Sequence, residues 1–414
     1  MEIVYARCCG LDVHKRTVVA CLLVSGSEDT PTKQIRTFGT MTNDLLALSD
    51  WLSAAGCTHV AMESTGVFWK PIYNLLEDRF TLVVVNAAHI KAVPGRKTDV
   101  RDAEWIADLL RHGLLRPSFL PDRSQRELRE LTRYRVSLVE ERATEVNRLQ
   151  KVLEGANIKL ASVATDLLGK SGRDILEALV GGTNDATVLA QLARGRLREK
   201  IPQLEQALAG QFSAHHRFLI AQQLAHIDFL EASLQRVSAE IGDRLRPFEP
   251  EVERLQTIPG VGRRTAEVLV AEIGVDLTRF PSAGHLASWA GLCPGNDESA
   301  GKRRSGRTRK GSPWLRTALV EAARAAARTK ETYLAAQYRR LAARRGAKRA
   351  AVAVAHSLLI IVYMLLTGHQ QQGYHDLGSH YFDERDRQAV ERRLVRRLEA
   401  LGYSVSLEPT SPAA

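Results

Sequence analysis

Short apolar runs alternate with amphipathic stretches over the first 112 residues. The runs 4–13, 17–24 and 33–38 are rich in β-forming residues, and Ser25-Gly26-Ser27 marks one turn between them, which predicts three strands in a meander. The pattern then predicts a helix over 43–55, a strand over 58–63, a helix over 68–79, a strand over 81–85 and a helix over 99–112.

This order of elements indicates a fold class. A three-stranded meander followed by helix, strand, helix, strand and helix is the order of a ribonuclease H-like α/β domain, which we expect for residues 1–121.

The region 122–250 has a different pattern, with long helical segments rich in Arg, Glu and Leu. Apolar residues recur there at spacings of three and four, which predicts a coiled-coil seam made of Ile227, Leu230, Leu234, Val237 and Ile241. The seam could pair within one subunit as an antiparallel hairpin or between subunits. Residues 181–184 (GGTN) predict a break between helical arms, and the pattern assigns no other element between 155 and 215.

The remaining sequence predicts a mainly helical C-terminal domain over 251–368 and a partly disordered extension over 369–414. The stretch 350–366 is nearly apolar, but His356 and Ser357 interrupt it and it is shorter than the ~20 residues that span a bilayer. We therefore predict a buried helix and no membrane partner.

Composition narrows the class of partner. The 414 residues suggest two or three domains, and 58 Lys and Arg against 47 Asp and Glu give a formal net charge of +11, which favours a polyanion. The five cysteines form neither a CxxC pair nor a zinc-ligand spacing with histidine, so we expect reduced, mostly buried thiols. The N-terminus lacks a signal-peptide pattern, so the expected location is cytoplasmic.

Four carboxylates fall where this fold can bring them together. Asp12 lies in the first strand, Glu63 ends the fourth strand, and Asp99 and Asp102 share one face at the start of the last helix. Each acid alone is ordinary for a turn or a helix start. Together they predict a site for Mg²⁺, with Mn²⁺ as an alternative, because such ions prefer hard oxygen ligands.

The C-terminal region contains a glycine-rich turn. Ile258-Pro259-Gly260-Val261-Gly262 followed by Arg263 and Arg264 has the form of a helix-hairpin-helix turn that contacts phosphate, although a tight turn between two packed helices explains the glycines equally well.

A basic segment lies downstream between two helical patterns. It contains no acid, and we predict that it contacts DNA through Lys302, Arg303, Arg304, Arg307, Arg309 and Lys310. Ser299, Ser305 and Ser312 are candidate nucleophiles beside these cations, and physical reasoning from the sequence does not separate them.

These motifs together resemble a known family. GLDVHK with Asp12, MESTG with Glu63, and KTDVRDAEWIADLL with Asp99 and Asp102 look like the four-acid signature of the one-ten family of insertion-sequence transposases. IPGVGRRTA and LASWAGLCPGNDESAGKRRSGRTRKGSPWLRTAL are similar to the second domain of that family. The likeness covers residues 1 to about 112 and about 255 to 366.

The resemblance implies a RuvC-like DEDD domain and a C-terminal domain whose serine links covalently to DNA. It implies that the carboxylates of one subunit hold Mg²⁺ beside the serine of another in a dimer or tetramer, that a structured element-encoded RNA pairs with donor and target DNA, and that the protein works at the bacterial nucleoid. In the family a serine precedes a Gly-Gly-Lys-like stretch, which places the nucleophile on Ser299, where this sequence reads Ser-Ala-Gly-Lys.

Two other functions compete with a recombinase. A metal-dependent, structure-specific nuclease would use the four carboxylates to activate water, with Ser299 only contacting phosphate. If the protein is instead a nucleic-acid-binding scaffold with decayed sites, replacing Asp12, Glu63 or Asp102 by Ala should leave transposition unaffected.

Overall fold

The computed structural model describes residues 2–25, 31–86, 102–295, 297–368 and 373–408. The chain divides into two compact units, Met1–Pro121 and Asp122–Ala414. The first is an α/β unit, and the second is almost entirely helical.

The first unit is a five-stranded sheet with helices on both faces. Its elements are β1 (Arg7–Val13), β2 (Thr17–Val24), β3 (Thr32–Gly39), α1 (Thr42–Ala54), β4 (His59–Glu63), α2 (Trp69–Leu76), β5 (Thr81–Val85) and α3 (Asp102–Arg111). The strand order is β3-β2-β1-β4-β5, with antiparallel pairing from β1 to β3 and parallel pairing of β4 with β1 and β5.

Each face of this sheet has its own apolar core. Cys9, Leu11 and Met62 pack on one side with the buried leucines of α1 and α2. Cys8 and Ala61 pack on the other side with α3. Burial on both faces accounts for the nearly continuous apolar runs of β1 and β4.

The second unit begins with a long helix that pairs with another. Its helices are α4 (Arg123–Gly155), α5 (Leu160–Val163), α6 (Lys170–Val180), α7 (Ala186–Ala190), α8 (Ile201–Leu208), α9 (Ala214–Leu245), α10 (Glu249–Gln256), α11 (Arg263–Ile273), α12 (Ala283–Trp289), α13 (Pro313–Ala326), α14 (Tyr333–Arg345), α15 (Ala347–Leu366), α16 (Tyr381–Arg385) and α17 (Arg387–Glu399). Two strands, β6 (Asp297–Ser299) and β7 (Lys302–Ser305), form a hairpin between α12 and α13.

The predicted seam pairs within the chain. Ion pairs join Glu127 to Arg244 and Arg142 to Glu231, so α4 and α9 run antiparallel. Ile227, Leu230 and Ile241 are buried along α9. The predicted break at 181–184 lies between α6 and α7, and four short helices, α5 to α8, pack with the ends of α4 and α9 where the pattern assigned none.

The apolar stretch forms the core helix α15. By length and composition alone it could cross a membrane, but its apolar face, including Leu358, Leu359 and Val362, is buried inside the second unit. The C-terminal extension carries two helices, α16 and α17, that the polar pattern did not predict, and α17 has no buried residue. All five cysteines are free and four of them are buried, which confirms the prediction that they are mostly buried.

Candidate active site and nucleic-acid contacts

Asp12 and Glu63 occupy equivalent positions in two neighbouring strands. β1 and β4 pair in parallel with Leu11 beside Met62, and Asp12 and Glu63 are the next residue of each strand. Paired strands lie ~4.8 Å apart. The two carboxylates therefore emerge side by side at one edge of the sheet.

Both carboxylates belong to the face covered by α3. Successive side chains of a strand point to opposite faces. Leu11 and Met62 pack beneath α1 and α2, so Asp12 and Glu63 lie on the other face, where each is half-buried. An apolar strand such as β4 thus ends in a charged residue that has both a neighbouring acid and partial access to water.

Helix α3 brings Asp102 to the same edge. The helix packs directly on Gly10, where an added Cβ would lie 2.3 Å from the Ala103 carbonyl oxygen and 2.4 Å from the Ala107 nitrogen. At its other end, the Arg111 carbonyl accepts a hydrogen bond of 2.9 Å from the Val4 amide, before β1 begins. The helix therefore starts beside the carboxyl ends of β1 and β4, and Asp102 is its first residue.

The described acids have local partners. The Asp12 carboxylate lies 3.1 Å from His14 Nε2, and Glu63 accepts a 3.1 Å hydrogen bond from the Thr65 hydroxyl. Asp99 lies outside the described residues. Within the part of the chain that the structure describes, no three His, Cys, Asp or Glu side chains are grouped to hold an ion. The carboxylate donors and their shared edge nevertheless fit a hard divalent cation.

The predicted phosphate-binding turn is packed against a helix. Gly260 has φ of +86°, and a Cβ there would lie 2.4 Å from the Ala322 carbonyl oxygen of α13. Gly262 is exposed at the start of α11, with open space where a Cβ would be. Gly260 therefore serves a structural need, as the simpler interpretation of the turn expected, while Gly262 leaves the helix N-terminus accessible.

The two arginines after this turn differ. Arg263 donates hydrogen bonds to Glu249 and Glu267, and this pairing lowers the pKa of Glu249. Arg264 is exposed and lines a cleft on the surface of the second unit. Arg263 thus fastens α11 to α10, and Arg264 is the better placed of the two for nucleic acid.

The basic segment begins as a β-hairpin rather than an irregular loop. Ser299 pairs with Lys302, and the two residues between them, Ala300 and Gly301, have φ of +50° and +72°. Positive φ at both central residues is the requirement of a two-residue hairpin turn of type I′. Ser299 is exposed at the end of this turn.

The end of the basic segment is attached to α13. Arg316 donates hydrogen bonds of 2.7 Å to the Thr308 hydroxyl and 3.1 Å to the Gly291 carbonyl. The exposed cations of the segment include Lys302, Arg304, Arg307, Arg309 and Lys310, and the Arg303 side chain lies outside the described part of the structure. These hydrogen bonds fix the end of the segment, and its cations are exposed to solvent.

The three candidate serines differ in their contacts. The Ser312 hydroxyl donates to Glu272 at 3.0 Å and accepts from the Leu315 amide, which caps α13. The Ser305 hydroxyl accepts from the Arg307 amide at 3.1 Å. Ser312 therefore caps α13 and contacts a buried acid, whereas Ser299 is exposed at the hairpin turn.

The second unit contains a buried ionic cluster that the sequence pattern did not predict. Glu267 and Glu272 are almost fully buried on α11, where Arg135 bonds Glu267 at 2.5 Å and Arg133 bonds Glu272 through two hydrogen bonds of 2.7 and 3.0 Å. Acids within the apolar run of α11 signal such partners, since a buried charge needs pairing. The cluster ties α4 to α11.

Two stretches of the chain match family models of transposases. Residues 9–158 match a DEDD transposase model of IS110 type, and residues 252–339 match the model described as the transposase IS116/IS110/IS902 family. The first stretch contains all four predicted acids, and the second contains Ser299. The chain belongs to the IS110 family of transposases.

Individual relatives support the same family. The chain is 30% identical over 220 residues to the insertion element IS110 43.6 kDa protein of Streptomyces coelicolor, across 49% of this chain and 53% of the relative. It is 27% identical over 291 residues to the transposase for IS1111A of Coxiella burnetii, across 69% and 71%. It is 28% identical over 246 residues to the insertion element IS116 44.8 kDa protein of Streptomyces clavuligerus, across 51% and 60%. The chain thus spans little more than half the length of two of these three relatives.

Proposed function

We propose that this protein is the transposase of an insertion sequence, a DNA recombinase that cleaves and exchanges strands with metal-binding carboxylates and a serine nucleophile. The observation that carries the proposal is the in-register pair Asp12 and Glu63 at the strand edge where α3 begins with Asp102. Family membership supports it independently.

The catalytic unit is a ribonuclease H-like, RuvC-like domain. The sheet order β3-β2-β1-β4-β5 supports this assignment, with a meander of three antiparallel strands extended by two parallel strands. In this arrangement the first strand is central, so its carboxyl end lies beside both β4 and the start of α3.

Asp12, Glu63, Asp99 and Asp102 would hold the divalent ion, Mg²⁺ or alternatively Mn²⁺. When bound, such an ion supplies Lewis-acid stabilisation of negative charge on phosphate oxygens. The protein's part is to hold the carboxylates on two rigid strands and one helix, so that their positions are fixed before DNA binds. The partial burial of Asp12 and Glu63 restricts their access to water.

Ser299 is the nucleophile. Its Oγ forms a bond to phosphorus as the bond from phosphorus to one deoxyribose oxygen breaks, and the hydroxyl proton is carried by the departing oxygen. Lys302 and Arg304 follow on the same hairpin, where their charge favours the phosphate. The exposed turn gives DNA access to this hydroxyl.

The partners are donor and target DNA together with a structured RNA encoded by the element. The formal charge of +11 and the basic hairpin support polyanion binding. The active protein is a dimer or tetramer in which the carboxylates of one subunit act with Ser299 of another, and it acts at the bacterial nucleoid.

Trapping a protein–DNA adduct tests this proposal. The full chain is mixed with labelled element-end DNA, target DNA, RNA transcribed from the element and Mg²⁺, and is then denatured and digested. We expect a covalent adduct on the Ser299 peptide that is absent in Ser299→Ala and Asp12→Asn, while the matched control Ser305→Ala retains it. Cleavage by Ser299→Ala with no adduct would contradict the serine mechanism and favour the nuclease.

A further inference from the structure

A cleft in the second unit has the composition of a base-binding site. It lies among α4, α11 and α13, encloses about 470 Å³ and is distinct from the carboxylate edge in the first unit. This volume falls in the range of small-ligand sites, ~300–1,000 Å³. We propose that it binds an unpaired nucleobase of a single-stranded nucleic acid.

The walls of the cleft are aromatic and apolar. Trp314 at the start of α13 lines it together with Val136, Val268 and Ala318. The Arg133 guanidinium lies 5.9 Å from the centre of the Trp314 ring, held in position by its two hydrogen bonds to Glu272. Bases stack on tryptophan rings and on guanidinium planes without a requirement for sequence.

Polar groups line the same cleft. The hydroxyls of Thr265 and Thr317 can donate and accept, whereas the Thr132 hydroxyl already donates to the Arg129 carbonyl at 3.1 Å and can only accept. The Glu140 and Glu321 carboxylates can accept from base amino groups. Arg133 and Arg135 also line the cleft, but their charges are paired with Glu272 and Glu267. Glu140 and Glu321 therefore disfavour a phosphate inside the cleft, since like charges repel. A neutral, planar ligand with donors and acceptors on its edge satisfies both the walls and these groups.

The surroundings supply the phosphate contacts. Arg264 lines the cleft in the first turn of α11, next to the exposed helix start at Gly262. Trp314 follows the last cation of the basic segment, Lys310, by four residues, which limits their separation to ~14 Å. A strand whose phosphates contact the basic segment can therefore reach Trp314 with its next bases.

The inference rests on the proposed function only in taking nucleic acid as the ligand. Its test uses equilibrium binding without divalent metal, so the outcome does not depend on Ser299 or on strand cleavage. The full chain is titrated with a blunt duplex, with the same duplex bearing a single-stranded tail, and with a tail whose sugars lack bases. Tails of DNA and RNA distinguish the two sources of an unpaired base.

The variants Trp314→Ala and Trp314→Phe are compared with the control Phe218→Ala, which removes an exposed ring from α9. We expect the wild type to prefer a base-bearing tail over an abasic one by about 5-fold to 150-fold, the range of one stacked base. Trp314→Ala should lose this preference and keep its blunt-duplex affinity. Trp314→Phe should retain part of the preference, and Phe218→Ala should retain all of it.

Photocrosslinking covers the case in which Trp314→Ala does not fold. Wild-type protein is irradiated with a tail carrying 5-iodouracil, and the crosslinked peptide is sequenced. A crosslink at Trp314 supports the proposal. Crosslinks confined to peptides outside the cleft, or equal affinity of the wild type for base-bearing and abasic tails, would overturn it.

Discussion

Adding one methyl group at Gly10 should separate α3 from the sheet. The Cβ of Gly10→Ala would lie 2.3 Å from the Ala103 carbonyl oxygen, about 1 Å closer than the 3.4 Å at which ordinary contact begins. Both nearest atoms belong to the α3 backbone, so no side-chain rotation can relieve the overlap. The helix must therefore move by about 1 Å, and Asp102 moves with it.

The shift has two measurable consequences. Overpacking of this kind costs ~1–3 kcal/mol in the free energy of unfolding. A displacement of ~1 Å in a catalytic constellation can cost ~100-fold in rate. We therefore expect Gly10→Ala to retain the fold with a lower denaturation midpoint and to lose metal-dependent strand cleavage about 100-fold.

The assay pairs chemical denaturation, followed by circular dichroism, with single-turnover cleavage of labelled DNA. Gly155→Ala is the matched control, because its added methyl group meets open space. Wild-type stability and wild-type cleavage in Gly10→Ala would refute the packing of α3 on β1 and, with it, the placement of Asp102 at the carboxyl end of β1.

Three further predictions concern the hairpin, the ionic cluster and the thiols. Ala300→Gly should increase hydrogen-exchange protection of the β6–β7 hairpin, because glycine adopts positive φ without the ~1 kcal/mol penalty, and decreased protection would contradict the turn geometry. Arg135→Ala should lower the free energy of unfolding by ~3–5 kcal/mol, because it leaves the buried Glu267 without this charge partner. The surface variant Arg142→Ala should lower it by less than ~1 kcal/mol, and equal effects would refute the burial of the Arg135–Glu267 pair. Half-exposed Cys293 should react with a thiol reagent at pH 8 long before the other four cysteines, because burial raises their pKa and so lowers their thiolate fraction, and simultaneous reaction of all five would contradict this.

The sequence predicted the α/β elements well because their apolar periods are clear. The strands predicted over 17–24 and 81–85 have those bounds in the structure, and the predicted helix over 43–55 is observed at Thr42–Ala54. Amphipathic patterns determine which face of each element is buried, so the order of elements indicated the sheet.

Features set by tertiary contacts were not predictable in the same way. The sequence does not distinguish Arg263 from Arg264. Only in the folded unit do Glu249 and Glu267 lie within hydrogen-bond distance of Arg263. The helices between 155 and 215 are short, and their apolar faces complete a core shared with α4 and α9 rather than one of their own. The hairpin in the basic segment was not predictable, because a strand with cations on both faces has no alternation of apolar and polar residues.

The carboxylate edge could be predicted in outline. Strand ends and a helix start predicted one shared edge of the sheet for Asp12, Glu63 and Asp102, and β1 and β4 end, and α3 begins, at that edge. Among the described residues no three ligating side chains are grouped, so the metal site stays a prediction. The orientation of each side chain depends on neighbours such as His14 and Thr65, whose contacts follow from local geometry rather than from sequence spacing.

Direct measurement of Mn²⁺ binding by electron paramagnetic resonance tests the carboxylate site most directly. Asp12→Asn, Glu63→Gln and Asp102→Asn keep the shape of each side chain and remove its charge, and Asp108→Asn removes an acid further along α3 as the control. We predict that the wild type and Asp108→Asn bind Mn²⁺ equally, and that each of the other three binds it about tenfold or more weakly. Undiminished binding in all three variants would contradict a metal site at this edge.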